Sequence, residues 1–380
     1  MSRLALRASR VLTPAGFEPD RCVVIDGGTI VAVIPASERL DDAPQRELDG
    51  DLLPGFIDLQ VNGGGGILFN DEPTVEGIAA IAGAHRRFGT TGLLPTLISD
   101  DLDVVARSIA AVDAAIDRGV PGVLGIHIEG PFLNAARKGI HDAAKFRTLD
   151  EAAIGLLTSL RRGRTLVTLA PELAPPGAVR ALVDRGAVVA AGHTEASYEQ
   201  VQAAFAEGLS GFTHLFNAMS QLGSRAPGAV GAALESRDSW CGLIADGHHV
   251  HPAALRVALA AKGADRLLLV TDAMPTTGSD RREFTLGGRR IVAEGGRLTG
   301  PDGTLAGSCL DMAAAVRNAE RLMGVDLATA ARMASAVPAW AMGLSAERGS
   351  IRPGLAADLV LMDGERRIVE TWIAGESDAP

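Results

Sequence analysis

The strongest constraint on this chain is a regular alternation, across its middle, of short apolar segments with alanine-rich segments. The apolar segments predict eight strands, at Gly55–Val61, Gly92–Leu97, Val123–Glu129, Leu166–Ala170, Val188–His193, Gly211–His214, Trp240–Ala245 and Leu267–Asp272. The alanine-rich segments predict helices, at Val75–Phe88, Asp101–Arg118, Asp150–Leu160, Gly177–Arg185, Ser197–Ala206, Ala253–Lys262 and Met312–Leu322. Apolar strands that alternate with helices form a parallel sheet covered by those helices. Eight strands over roughly 220 residues therefore predict an α/β protein with a (β/α)8 TIM-like barrel, and a doubly wound open sheet is the weaker alternative.

Both ends of the chain resemble β structure instead. Short apolar segments predict strands at Leu4–Leu12, Arg21–Ile25 and Thr29–Ile34 near the start, and at Gly349–Ile351, Asp358–Met362 and Ile368–Ile373 near the end. Asp26-Gly27-Gly28 is a typical hairpin turn. Because neither end alone buries much surface, we expect one small β-sandwich formed by residues 1–52 and 346–380, beside a barrel over residues 53–345. After the eighth strand, Glu283–Leu298 predicts a β-hairpin with its turn at Gly287-Gly288.

The composition excludes several classes of protein. With 47% hydrophobic and 22% charged residues, the chain is an ordinary globular protein rather than a disordered one. It carries 36 Lys and Arg against 46 Asp and Glu, a formal charge of −10, so we expect neither nucleic acid nor a membrane surface as a partner. Three scattered cysteines argue against a disulfide framework. The sequence shows no signal peptide or membrane-spanning segment, and we expect a cytoplasmic protein.

Ionisable residues lie at the ends of several predicted strands. Glu129, His193 and His214 end the third, fifth and sixth strands, and Asp272 ends the eighth. In a barrel these ends meet at one mouth, where active sites form. A carboxylate and two imidazoles suit a divalent metal with one position open for water, and Asp272 would then be the general base. Taken singly, each histidine could instead be a hydrogen-bonded core residue, Glu129 a salt-bridge partner and Asp272 a helix cap. His127, on the same strand as Glu129, is expected to be structural.

Several motifs resemble those of a known family. Two segments similar to those shared by the amidohydrolase superfamily are Leu53-Pro54-Gly55-Phe56-Ile57-Asp58 and Pro353-Gly354-Leu355-Ala356-Ala357-Asp358-Leu359-Val360. More narrowly, the chain resembles the N-acetylglucosamine-6-phosphate deacetylases in His127-Ile128-Glu129-Gly130-Pro131-Phe132, Lys138-Gly139-Ile140-His141, Gly192-His193-Thr194, Thr213-His214-Leu215-Phe216-Asn217-Ala218-Met219, Val270-Thr271-Asp272-Ala273 and Gly303-Thr304-Leu305-Ala306-Gly307-Ser308. The motifs run in order from residue 53 to residue 360, so the resemblance covers nearly the whole chain.

This resemblance implies hydrolysis of the acetamide of N-acetyl-D-glucosamine 6-phosphate to D-glucosamine 6-phosphate and acetate by a metal-activated water. It implies metal ligands at Glu129, His193 and His214, and a general base and acid at Asp272. His141 matches the residue that contacts the acetyl carbonyl. The other matching substrate positions are Ile140, Asn217, Ala218, Arg225, His249, Leu305, Ala306 and Gly307, of which Arg225 and His249 are associated with the phosphate.

One motif departs from the wider superfamily. Gln60-Val61-Asn62 stands where many members carry His-x-His for a second metal, and amides are weak ligands beside imidazoles. We therefore expect one divalent metal ion per chain, with Zn as the first candidate and Fe, Mn or Co as alternatives. The resemblance also suggests a homodimer. Two alternatives stay open, namely N-acetylgalactosamine 6-phosphate or another acylated amino-sugar phosphate as the substrate, and an inactive barrel that acts as a binding scaffold.

Overall fold

The computed structural model describes residues 3–38 and 43–377. Its strands are β1 Leu4–Thr13, β2 Gly16–Asp26, β3 Thr29–Pro35, β4 Gln45–Pro54, β5 Phe56–Val61, β6 Gly63–Gly64, β7 Ile67–Leu68, β8 Thr90–Ile98, β9 Gly125–Glu129, β10 Arg164–Leu169, β11 Val188–Ala191, β12 Gly211–Phe212, β13 Trp240–Leu243, β14 Leu267–Leu269, β15 Glu283–Leu286, β16 Arg289–Glu294, β17 Arg297–Thr299, β18 Leu305–Ser308, β19 Leu359–Met362, β20 Ile368–Ile373 and β21 Glu376–Ser377. Its α-helices are α1 Val75–Arg86, α2 Leu102–Asp117, α3 Glu151–Leu157, α4 Ala178–Asp184, α5 Tyr198–Glu207, α6 Gly228–Glu235, α7 Pro252–Lys262, α8 Met312–Asn318, α9 Leu327–Ala334 and α10 Ala336–Ala341. Residues 1–2, 39–42 and 378–380 of the predicted terminal domain lie outside the described residues.

The predicted barrel is formed by β5 and β8–β14. The eight strands pair in parallel in the order β14-β13-β12-β11-β10-β9-β8-β5. A parallel bridge between Val61 and Ala273 closes the barrel, and the Asp272 amide donates a hydrogen bond to the Gln60 carbonyl at 2.9 Å. Every residue of β5, β8 and β9 is buried, as expected for strands covered on both faces. The prediction of a (β/α)8 barrel is confirmed.

Several barrel strands end earlier than the sequence predicts. β11, β12 and β14 stop two or three residues before His193, His214 and Asp272 respectively. These three residues have φ angles of 48°, 36° and 53°, which lie outside the β region. An apolar pattern cannot show such a change of backbone conformation, because the side chains on either side of it are buried alike.

The seven predicted helices are all present, as α1–α5, α7 and α8, and the last continues into a π-helical segment, Ala319–Met323. Helices α6, α9 and α10 were not predicted. Glycines at the start and middle of α6 and Pro338 in the first turn of α10 disfavour a helix prediction. Burial of alanine-rich faces stabilises these helices instead. Within the described residues, no helix has both the length and the apolar character needed to cross a membrane.

The two chain ends form one seven-stranded sheet in the order β21-β20-β19-β4-β1-β2-β3. β4, which was not predicted, joins the two ends because it lies parallel to β1 and antiparallel to β19. Apolar side chains pack against both faces of this sheet. The predicted turn at Gly27-Gly28 is present, with φ angles of 56° and 81°. The union of the two ends is confirmed, but the strand predicted at Gly349–Ile351 is wrong, because the chain bends there instead of extending. The predicted domain bounds stay a prediction.

The insertion after the eighth barrel strand is larger than predicted. The expected hairpin is present as β15 and β16 with its turn at Gly287-Gly288, and β17 and β18 extend it to a four-stranded antiparallel sheet. Ile291 of this sheet belongs to an apolar cluster that also contains Ile140 and Met274 from the barrel mouth. The insertion therefore packs against the mouth of the barrel.

Candidate active site

Glu129, His193 and His214 converge at the barrel mouth. The Glu129 Oε1 atom lies 3.1 Å from the His193 Nε2 atom and 2.9 Å from the His214 Nε2 atom, and the two Nε2 atoms are 3.1 Å apart. Ligands of a tetrahedral zinc ion at about 2.0–2.1 Å would lie about 3.3 Å from one another. All three side chains are buried. Among the described residues, these three form the one group of His, Cys, Asp or Glu that could hold a metal ion.

The chemistry of this group fits a divalent metal. Burial alone raises the pKa of the Glu129 carboxyl, but the two imidazoles outweigh it and hold the pKa well below its usual range. Burial opposes the charged form of His214, and the Glu129 carboxylate outweighs it to raise the pKa of His214. The His193 Nδ1–H group donates to the Arg137 carbonyl at 2.7 Å, which leaves the lone pair on Nε2 free to bind a metal. Two imidazole nitrogens and a carboxylate oxygen are preferred ligands of Zn²⁺.

His127 has a structural role, as predicted. Its Nε2 atom lies 2.7 Å from the Thr168 hydroxyl, and its Nδ1 atom lies 3.2 Å from the Thr96 hydroxyl. Burial lowers the pKa of His127 to about 4, so the ring is neutral at physiological pH. Because both ring nitrogens are engaged by neighbouring strands, neither is available to a ligand.

Asp272 faces the same cavity as the metal-binding group. Its Oδ1 atom accepts hydrogen bonds from Asn62 Nδ2 at 2.6 Å and from Gln60 Nε2 at 3.2 Å. Burial raises the pKa of Asp272 to about 6, and the negative charge of Glu129 adds to the increase. A carboxyl group with a pKa near the working pH can accept a proton in one step and return it in another.

Gln60 and Asn62 act here as hydrogen-bond donors. Gln60 Nε2 lies 3.0 Å from Glu129 Oε2 as well as 3.2 Å from Asp272 Oδ1. Because both contacted atoms are carboxylate oxygens, the NH₂ group of the amide must face them. Gln60 and Asn62 therefore present hydrogen-bond donors to the carboxylates of this group.

His141 forms part of the wall beside His193, with the two ring centroids 4.4 Å apart. Its Nδ1 atom lies 2.8 Å from the Ser99 Oγ atom. Burial, together with the neighbouring His193, lowers the pKa of His141 well below its usual value. The ring is therefore a neutral imidazole, and it can serve as a hydrogen-bond donor without carrying charge.

One cavity of about 360 Å³ collects most of the predicted site residues. Those that line it are Glu129, Ile140, His141, His193, His214, Asn217, Ala218, His249, Asp272, Leu305 and Gly307. Further lining residues were not predicted, namely Ile98, Ala136, Arg137, Gly139, Ile244, Met274 and Thr304. Gly139 and Thr304 lie within the quoted motifs and Met274 directly follows one, so a position in or beside a motif was the available signal.

Two predicted substrate residues lie outside this cavity wall. Arg225 is exposed on the loop between β12 and α6, and it does not line the cavity. Ala306 is fully buried in the apolar cluster beneath the insertion, so its side chain packs away from the cavity that Leu305 and Gly307 line.

His249 lines the cavity and is held by Asp246, which was not among the predicted site residues. Its Nδ1 atom lies 2.6 Å from Asp246 Oδ2. Asp246 Oδ1 accepts the backbone N–H groups of His248 and His249, each at 2.8 Å. The sequence did contain a signal for this residue. Asp246 directly follows the seventh predicted strand, and the other polar site residues likewise lie at the ends of predicted strands.

The backbone of the mouth is strained. Of the eight described non-glycine residues with positive φ, five lie here, and they are His193, His214, Phe216, Ala218 and Asp272. Such conformations cost about 1–3 kcal/mol each and are found mainly where surrounding structure enforces them at functional sites. The barrel therefore positions the functional side chains at a cost in stability.

Comparison with known proteins identifies the family to which this site belongs. The model of the amidohydrolase family matches residues 52–378. The chain belongs to the amidohydrolase family. It is therefore a hydrolytic enzyme that acts on an amide, and dependence on a divalent metal is typical of the family, in agreement with the buried Glu129, His193 and His214 group.

Relatives that match nearly the whole chain confirm the resemblance seen in the sequence. The chain is 44% identical over 371 residues to an N-acetylgalactosamine-6-phosphate deacetylase of Shewanella sp. (strain ANA-3), which covers 97% of this chain and 94% of the relative. It is 34% identical over 361 residues to an N-acetylglucosamine-6-phosphate deacetylase of Haemophilus influenzae, which covers 94% of each. The structure of a mutant N-acetyl-D-glucosamine-6-phosphate deacetylase of Mycobacterium smegmatis, in complex with N-acetyl-D-glucosamine 6-phosphate, matches with a TM-score of 0.90 at 32% identity and covers 99% of each chain.

Proposed function

We propose that this amidohydrolase removes the acetyl group of N-acetyl-D-glucosamine 6-phosphate to give D-glucosamine 6-phosphate and acetate. The observation that carries the proposal is that the Glu129, His193 and His214 group, Asp272 and His141 all line one cavity. Amide hydrolysis needs a Lewis acid, a proton-transferring group and a donor to the acyl oxygen around one space. Relatives named as deacetylases of amino-sugar 6-phosphates support this class of substrate.

Glu129, His193 and His214 would hold one divalent metal ion per chain, with Zn as the first candidate. Fe, Mn and Co are the alternatives that an oxygen and nitrogen ligand set accepts. When bound, such an ion polarises an acyl oxygen and lowers the pKa of water to about 7. The hydrogen bonds that Gln60 makes to Glu129 and Asp272 support a single ion, because they turn its NH₂ group, which cannot bind a cation, toward both carboxylates.

Asp272 moves the proton in this proposal. With a pKa of about 6, it is mostly ionised at neutral pH and can take a proton from the attacking water. It then gives the proton to the amine nitrogen as the C–N bond breaks, because an amide anion is too poor a leaving group to depart unassisted. Asn62 and Gln60 hold its Oδ1 atom, so its Oδ2 atom, which has no hydrogen-bond partner among the described residues, is available for the water.

The remaining residues bind and orient the substrate. His141 donates a hydrogen bond to the acetyl oxygen, and one donor of this kind is typically worth about 3–4 kcal/mol of barrier. His249 and Arg225 bind the phosphate, for which an arginine fork is well suited. Arg225 lies outside the cavity wall, so its contact requires that its loop approaches the substrate. The sugar contacts fall on Ile140, Asn217, Ala218, Leu305, Ala306 and Gly307, and Ala306 would contribute through its backbone because its side chain packs away from the cavity.

We also propose that the enzyme is a cytoplasmic homodimer. The family resemblance supports the homodimer, and relatives named as deacetylases of amino-sugar 6-phosphates support the location. The formal charge of −10 argues against nucleic acid and anionic membranes as partners.

N-acetylgalactosamine 6-phosphate is a second candidate substrate. A specific observation favours it, because the relative named for that substrate is 44% identical, whereas the Haemophilus influenzae relative named for the gluco sugar is 34% identical. The two sugars differ in the configuration of one hydroxyl group, and the residues that carry the amide chemistry serve both equally.

The release of free amine from each sugar phosphate tests the proposal. We would measure it with the purified enzyme, after treatment with a chelator, and after Zn²⁺ is added back. Turnover that chelation abolishes and Zn²⁺ restores is expected, and the ratio of the two rates identifies the sugar. Glu129→Ala should lose both turnover and bound metal by elemental analysis. Bound metal without turnover of either sugar phosphate would contradict the proposed substrate. The absence of both bound metal and turnover would favour a binding scaffold.

A further inference from the structure

Two donors behind the cavity wall meet at one nitrogen of His141. Ser99 directly follows β8, and its Oγ atom lies 2.8 Å from His141 Nδ1. The backbone N–H of Ser99 points at the same Nδ1 atom, with an N···N distance of 3.3 Å. Both residues are buried, with 7% of Ser99 and 3% of His141 exposed. The contact is therefore shielded from water, and its geometry decides which nitrogen of the ring carries the proton.

The backbone amide settles the direction of these hydrogen bonds. A peptide N–H can only donate, so Nδ1 of His141 must present its lone pair, and the Ser99 hydroxyl donates to that nitrogen too. In a neutral imidazole the proton then resides on Nε2. Because His141 lines the cavity and its Nδ1 edge is turned to Ser99, the Nε2–H group is the edge left for a ligand.

Neighbouring residues hold Ser99 in this position. The side-chain amide of Asn70 accepts the Ile98 N–H at 3.2 Å and donates to the Ile98 carbonyl at 3.0 Å, which fixes the end of β8 just before Ser99. On the other side the hydroxyl lies against Gly130. A Cβ atom at residue 130 would come within 2.2 Å of Ser99 Oγ, so a glycine there leaves the space that the hydroxyl occupies.

We propose that Ser99 is a positioning residue that selects the Nε2–H tautomer of His141 and thereby supplies the hydrogen-bond donor for the acetyl oxygen. The acetyl oxygen as its target rests on the proposed function. The tautomer itself is a property of the free enzyme, and it can be measured without any substrate.

The tautomer is tested by two-bond ¹H–¹⁵N correlation spectra of the Zn²⁺-loaded enzyme with ¹⁵N-labelled histidine at pH 7.5. His141→Gln identifies the His141 signals by their loss. We expect a ring with an unprotonated Nδ1 and a protonated Nε2. In Ser99→Ala, where the hydroxyl donor is lost, the Nδ1 resonance should shift. A proton on Nδ1 in the unsubstituted enzyme would overturn the proposal, and so would a doubly protonated ring.

Kinetics of the same variants test the role in turnover. Ser99→Ala should lower kcat about tenfold, as expected for the loss of one hydrogen bond, with KM and zinc content within about twofold of the unsubstituted enzyme. In a His141→Gln background the same change should alter kcat by less than about twofold, because a residue that acts through His141 has nothing left to position. Equal losses in the two backgrounds would show a merely structural role and overturn the proposal.

Ser108→Ala is the matched control. Ser108 is a buried serine of α2 whose hydroxyl has no hydrogen-bond partner in the described part of the chain, and its replacement should leave kcat unchanged. If neither sugar phosphate is turned over, the proposed function fails, whereas the spectra still decide whether Ser99 sets the tautomer.

Discussion

At the scale of single residues, the active site depends on neighbours that decide where protons lie. His193 donates from Nδ1 to a carbonyl, whereas His141 receives hydrogen bonds at Nδ1. The two adjacent rings therefore present opposite character to the cavity, a lone pair from one and an N–H from the other. The neighbours of Asp272 set both its orientation and its pKa. Amide donors hold one carboxylate oxygen, and burial raises the pKa to about 6.

Asp272→Asn tests the proton-transfer role. Asn preserves the shape of the side chain but cannot take a proton, so we expect kcat to fall about 10²–10⁴-fold while the zinc content stays unchanged. Steady-state kinetics and elemental analysis measure the two quantities. Asp326→Asn is a suitable control, because Asp326 caps α9 and does not line the cavity, and Asn caps helices equally well. Activity of Asp272→Asn close to that of the control would remove Asp272 from the mechanism.

At the scale of secondary-structure elements, the junction of the first and last barrel strands has the least regular pairing. β14 has three residues, and the segment that follows it meets β5 through an isolated bridge between Ala273 and Val61 instead of a regular ladder. Asp58 of β5 compensates for this. Its Oδ2 atom accepts the Thr271 hydroxyl at 2.5 Å and its Oδ1 atom accepts the Thr271 N–H at 3.2 Å. A buried carboxyl group thus supplies hydrogen bonds that the short ladder lacks.

Asp58→Asn should destabilise the enzyme more at pH 5 than at pH 8. Burial raises the pKa of Asp58 to about 7 from an ordinary value of 3.8. Between these two pH values the Asp58 carboxyl is therefore protonated in the folded state and ionised in the unfolded state. The stabilisation is fully present below pH 3.8 and is lost as the pH rises through about 7. Since Asn does not titrate, the loss of unfolding free energy caused by Asp58→Asn should be larger at pH 5 than at pH 8 by about 2–3 kcal/mol. Urea unfolding at each pH measures this, and an equal or larger cost at pH 8 would contradict it.

At the scale of the whole molecule, the terminal sheet ties the two ends of the chain to each other beside the barrel. Arg46 of β4 forms a bidentate ion pair with Glu370 of β20, at 2.6 and 2.5 Å across 324 residues of sequence. The Arg46 guanidinium also lies 5.8 Å from the centroid of the Trp372 ring. Trp372 is fully buried within the apolar cluster that the N- and C-terminal strands share. The C-terminal strands are therefore part of the core of this sheet.

Trp372→Ala should lower the free energy of unfolding by about 3–5 kcal/mol, because it empties a large volume within that core. Trp340→Ala is the matched control, since Trp340 is 39% exposed and its loss should cost about 1 kcal/mol. Urea unfolding followed by circular dichroism measures both. Equal costs for the two variants would mean that the terminal sheet adds little to the stability of the molecule.

The barrel and the convergence of the candidate site residues at its mouth could both be predicted from the amino-acid pattern. Strand and helix periodicity are local, and polar residues directly after apolar strands must meet at one mouth, so Glu129, His193, His214 and Asp272 could be predicted together. The union of the two chain ends was also predictable, because neither end could bury its apolar face alone. The resemblance to the deacetylases predicted most of the residues that line the cavity. Several of the lining residues that were not predicted lie within or beside its motifs.

The packing of distant segments sets which atoms of those residues face the cavity and which partners hold them, and this could not be predicted. Ser99 contacts His141 across 42 residues, and Gln60 contacts Glu129 across 69. The direction of a hydrogen bond and the degree of burial depend on such distant neighbours, which no local pattern records. For the same reason the sequence could not show that Arg225 stands outside the cavity wall, or that β4 joins the two ends of the chain, since both are set by how the elements pack.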